Sequence, residues 1–63
     1  MAPREPSVLE LTAEARHTAE RVALYRQKLY AGRGDARRLA ELQREAAGAA
    51  ERLALARSRA AAG

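Results

Sequence analysis

Gly32-Arg33-Gly34-Asp35 decides the fold, because it is the one place where a long run of helix-forming residues could bend back on itself. On either side, from Thr12 to Arg59, the chain is almost entirely Ala, Leu, Arg, Glu and Gln, with no proline and no β-branched run to interrupt a helix. Two glycines inside a helix cost roughly 1 kcal/mol each. As a loop, Gly-Arg-Gly-Asp is equally reasonable chemistry, with Asp35 placed to cap a second helix.

The apolar spacing around this stretch weighs against the loop. Steps of alternating threes and fours pick out Val8, Leu11, Ala15, Thr18, Val22, Tyr25, Leu29, Gly32, Ala36, Leu39, Gln43, Ala46, Ala50 and Leu53. Only Thr18, Gly32 and Gln43 among them are neither apolar nor tyrosine, which makes this a heptad seam. The seam keeps its phase through residues 32–35, and a hairpin loop has no reason to do that. The expected class is therefore all-α: one helix from about residue 12 to 58, roughly 70 Å long, pairing as an antiparallel coiled-coil homodimer. Its dimer seam would be Leu11, Ala15, Val22, Tyr25, Leu29, Ala36, Leu39, Ala46, Ala50 and Leu53, with Gln43 a polar position that helps to set register. The alternative is a helical hairpin with its turn at 32–35.

Outside the seam the organisation is simple. Residues 1–10 form a flexible N-terminal arm, 11–59 the coiled-coil region and 60–63 a frayed C-terminus. Two helix starts compete. Ser7-Val8-Leu9-Glu10 has the spacing of a capping box, and Thr12 followed by Glu14 is the other candidate.

Composition explains why a partner is expected. Of the 63 residues 17 are alanine, and the large apolar side chains amount to eight leucines, two valines, two tyrosines and Met1. A chain below about 70–80 residues rarely draws more than about 3–5 kcal/mol from one core. Without cysteine it has no disulfide or thiolate metal site to add to that. The net charge of +4 comes from eleven arginines and one lysine set among eight acids. The acids are interleaved with the bases, as on a solvated helix, which argues against a basic nucleic-acid-binding region. Neither a signal peptide nor a membrane span is visible, so the expected location is the cytoplasm. The Ala/Arg/Gly bias suggests a GC-rich source genome. Catalysis is not expected: His17 is the sole histidine, and the serines Ser7 and Ser58 are far from it in sequence. No catalytic, metal-binding or phosphate-loop motif occurs.

The unusual stretch is Glu20 to Asp35, which holds both tyrosines, the only lysine, three arginines and two glycines. On an unbroken helix Glu20, Leu24, Gln27, Ala31 and Asp35 would make one stripe away from the seam, flanked by Arg26 and Arg33. Carboxylates can accept from a guanine edge, and arginines can bind its O6 and N7 or stack on its plane.

Tyr25-Arg26-Gln27-Lys28-Leu29-Tyr30-Ala31-Gly32-Arg33-Gly34-Asp35 resembles the central helix of the actinobacterial anti-sigma factors of the RsiG type. The resemblance covers about residues 11 to 42, beginning with Leu11-Thr12-Ala13-Glu14. That family's motif is E-x3-S-x2-R-x3-Q-x3-D. It binds cyclic di-GMP, which bridges the anti-sigma factor to a WhiG-type sigma factor and keeps the latter inactive. Glu20 and Asp35 match the motif's acids, whereas Leu24, Gln27 and Ala31 replace its serine, arginine and glutamine. The resemblance implies an anti-sigma function in transcription regulation. It also implies tentative cyclic di-GMP contacts from Glu20, Arg26, Gln27, Arg33 and Asp35, with the second motif copy supplied by a homodimer. Without the resemblance, the residues read first as a solvated coiled-coil face, that is, a structural or adaptor coiled coil that takes no small ligand.

Overall fold

A computed structural model describes residues 6–62, and these form two helices, α1 (Val8–Tyr30) and α2 (Ala36–Ala62), with no strand among them. The chain is all-helical, as the sequence implies. Of the two arrangements considered above, it adopts the hairpin. Cross-links between low- and high-numbered residues, Arg21 to Glu45 and Arg52 to Glu14, show that the helices run antiparallel. The long dimension is 47 Å, against the roughly 70 Å of an unbroken rod.

Helix α1 begins where the capping box predicts. Ser7 is extended, and its Oγ accepts from the Glu10 amide at 3.1 Å. The competing start, Thr12, lies inside the helix and donates its hydroxyl to the Val8 carbonyl at 2.7 Å. Val8–Glu10 are thus helical although the sequence reading placed them in the N-terminal arm. At the other end α2 continues to Ala62, past the expected onset of fraying at residue 60. Residues 1–5 of the arm, and Gly63, lie outside the described residues.

The continuous helix fails at Gly32 for a backbone reason. The Gly32 amide bonds the Leu29 carbonyl at 3.0 Å, and the Arg33 amide bonds the Lys28 carbonyl at 2.8 Å. These are the paired bonds of a Schellman stop, which needs a left-handed residue just past the helix. Gly32 provides it, with φ +82°.

The turn also resets the seam. On α1 the expected positions all face inward: Leu11 and Thr18 are buried, and Val8, Ala15, Val22, Tyr25 and Leu29 half-buried. On α2 the inward positions are Leu39, Leu42, Ala46, Ala49, Leu53 and Ala56. Leu39, Ala46 and Leu53 are common to both lists. Ala36, Gln43 and Ala50 are exposed, and Leu42, Ala49 and Ala56 take their places. A chain that folds back can enter its second helix at any rotation, so nothing ties the second seam to the phase of the first. The seam joins α1 to α2 within one chain.

The resulting core is thin. Among the described residues Leu11, Leu42, Ala49 and Leu53 are its buried apolar members, and no large side chain is completely enclosed. Thr18 is also buried, and its hydroxyl lies 3.0 Å from both the Glu14 and Ala15 carbonyls. One flank of the hairpin carries both interhelix ion pairs, Glu14–Arg52 and Arg21–Glu45. The opposite flank is a shallow groove of Ala19, Val22 and Ala23 from α1 and Gln43 and Ala46 from α2, with Arg26 at its edge.

Candidate functional site

Of the residues that the sequence singles out, Asp35 and Tyr25 have structural work at the closed end of the hairpin. Asp35 caps α2: its Oδ1 accepts from the Arg37 amide at 2.9 Å, and its carbonyl accepts from the Leu39 amide at 3.2 Å. The Asp35 amide in turn donates to the Tyr25 hydroxyl at 2.8 Å, tying the turn back onto α1. Gly34, at φ +95°, lies against that phenol. A Cβ there would stand 2.9 Å from Tyr25 Oη and 3.1 Å from Cζ. Tyr25 is therefore both a seam residue and the latch of the turn, and the Lys28 ammonium sits 5.9 Å from its ring centre.

The stripe proposed for a nucleotide is divided by this turn. Glu20, Leu24 and Gln27 are exposed on α1, and Ala31 is its C-cap. Arg33 and Asp35 belong to the connection, and Arg26 lies beside the small-residue groove. Continuous helical spacing no longer links Asp35 to Glu20. Within the described residues Glu20, Arg26 and Arg33 form no ion pair, so their charges face solvent. His17 is exposed, and the described residues contain no cluster of His, Cys, Asp or Glu that could hold a metal ion.

A second feature escaped the sequence reading because it depends on how the helices are juxtaposed. At the open end Pro6, Val8 and Leu11 face Leu55 and Ala56 across a groove of about 370 Å³, bordered by Arg52 and Arg59. Leu55 is 59% exposed there. It lies off both heptad seams, so periodicity assigns it no partner. Leu9, Leu24 and Tyr30 add further exposed large side chains, at 80%, 65% and 87%.

No helix among the described residues is long and apolar enough to cross a membrane. Comparison of the chain with models of protein families, with curated proteins and with solved structures finds no match.

Proposed function

We propose that this chain is a non-enzymatic protein-binding hairpin that acts as a regulator in the cytoplasm, with a WhiG-type sigma factor as its first candidate partner. The observation that supports binding is the unfinished core. Two helices bury four apolar residues while four large side chains stay more than half exposed. Further helices packed on such a surface would complete the core, and occluding a sigma factor's polymerase-binding helices would silence it. The choice of sigma factor rests on the resemblance of residues 11 to 42, and homodimerisation is part of the same reading.

Two versions differ in the role of the nucleotide. In one, Glu20, Arg26, Gln27 and Arg33 contact cyclic di-GMP, which bridges the two proteins. In the other the hairpin is an adaptor without a small ligand, and Asp35 favours this version because its carboxylate is engaged as a helix cap. Fluorescence anisotropy of the labelled chain with a WhiG-type sigma factor, with and without cyclic di-GMP, separates them. Nucleotide-dependent binding that Glu20→Ala weakens supports the bridge. Nucleotide-independent binding indifferent to Glu20→Ala supports the adaptor. Absence of binding under both conditions rejects the sigma-factor partner, and light scattering on the same samples reports the homodimer.

A further inference from the structure

We propose that the groove at the open end of the hairpin is a docking site for an acidic amphipathic helix of a partner protein. The inference rests on the protein-binding reading and adds to it a place and a partner chemistry.

The antiparallel register creates the groove. Glu14–Arg52 and Arg21–Glu45 are equally spaced on the two helices, which sets Val8 level with Ser58 and lets α2 run on to Ala62. Leu55 and Ala56 therefore stand level with the first turn of α1, and with Val8 and Leu11 they line a cleft. Its volume of about 370 Å³ falls within the range of about 300–1,000 Å³ found for sites that enclose a ligand. Being mainly apolar and lined from both helices, it suits a third helix that presents leucine-sized anchors at i, i+3 and i+7.

Charge chooses the kind of helix. After Glu51, α2 contains Arg52, Arg57 and Arg59 and no acid. Attraction to the helix dipole accounts for a cation in the last turn, such as Arg59. It does not account for Arg52, which stands well inside α2 yet also borders the groove. Arg52 is paired with Glu14, whereas Arg59 forms no ion pair within the described residues. An occupant with carboxylates beside its leucines would meet Arg59, and Arg52 beside it, at the edge of the groove, and a basic helix would be repelled. An anionic lipid surface offers the same charge, but a bilayer receives a convex apolar face, whereas here the apolar residues line a cleft.

The test is an NMR titration of the ¹⁵N-labelled full chain with a synthetic peptide bearing leucine at i, i+3 and i+7 and glutamate between them. Two controls accompany it, one with the leucines scrambled and one with lysine in place of glutamate. The expected result is saturable shifts at Val8, Leu11, Leu55 and Ala56. Leu55→Asp should abolish them, Leu55→Ala should weaken them, and Arg59→Glu should lower affinity about tenfold, an effect that fades with added salt. Circular dichroism checks that the variants keep their helices. No shift at millimolar peptide overturns the proposal, as does equal binding of either control. Leu55-dependent binding to phosphatidylserine vesicles without peptide binding reassigns the groove to lipid. A mass that falls from dimer to monomer on Leu55→Asp reassigns it to a second copy. If the sigma factor binds and the peptide does not, the groove fails while the protein-binding reading stands. The converse keeps the groove and discards the sigma factor.

Discussion

Replacing a glycine of the turn with alanine should change stability in opposite directions for the two folds this sequence could encode. In an unbroken helix Gly32→Ala and Gly34→Ala would each stabilise by about 1 kcal/mol, since alanine is the better helix former. In the hairpin both residues have positive φ, +82° and +95°. A side chain in left-handed backbone costs about 1–2 kcal/mol. At Gly32 that is the whole cost, because an added Cβ meets nothing within 4 Å. At Gly34 the Cβ would lie 2.9 Å from Tyr25 Oη, so the phenol must move and its bond to the Asp35 amide is lost. That adds roughly 1 kcal/mol. Against a total stability of about 3–5 kcal/mol for a domain of this size, the sum of about 2–3 kcal/mol for Gly34→Ala removes roughly two-fifths or more. Thermal unfolding followed by circular dichroism at 222 nm reads this directly, since about 1 kcal/mol corresponds to roughly 4–8 °C in Tm for small domains. The expected order is wild type, then Gly32→Ala, then Gly34→Ala, each lower than the one before. A rise in Tm for either variant would refute the hairpin.

Asp35→Ala should cost about 1 kcal/mol through the lost cap, whereas Asp35→Asn should cost little because asparagine caps equally well; equal losses in urea titrations would contradict the capping role. Leu42→Ala, at a residue only 4% exposed, should destabilise by about 2–5 kcal/mol. Gln43→Leu, at the exposed position next to it, should change stability by less than about 0.5 kcal/mol. The reverse order would restore the seam phase that the sequence suggested. A double-mutant cycle on Glu14 and Arg52 should give about 0.2–1 kcal/mol and shrink in high salt, because both side chains are about half exposed.

The parts of the fold legible in the sequence are those that depend on local chemistry. Helix type follows from composition, and the start of α1 follows from Ser7 and Glu10. The α1 face follows from a heptad pattern that the structure reproduces position by position, from Val8 to Leu29. The second helix was legible only at Leu39, Ala46 and Leu53, because alanine fills so many positions that two adjacent stripes satisfy the same pattern. Ala36 and Ala50 fit one stripe, and Ala49 and Ala56 fit the other. What separates them is leucine: Leu42 lies on the stripe that is buried, and Gln43 on the one that is not. Counting alanine as a seam residue of full weight is what made the phase look continuous through the turn.

The candidate site depends on the turn in the same way. A ligand stripe at helical spacing through residues 20–35 presupposes the unbroken helix, so the stripe and the rod stand or fall together. Once Gly32 stops α1, the Asp35 carboxylate has a local use that accounts for its identity: a helix beginning at Ala36 needs a cap, and aspartate is among the best residues for that position. Tyr25 likewise has its use in the Asp35 amide and in contact with Gly34. Glu20, Arg26 and Arg33, by contrast, have no ion-pair partner among the described residues. Folding alone therefore explains Asp35 and Tyr25 but not those three charges. A nucleotide or protein contact at the closed end must accordingly be sought through Glu20, Arg26 and Arg33, because changing Asp35 would confound loss of binding with loss of the turn.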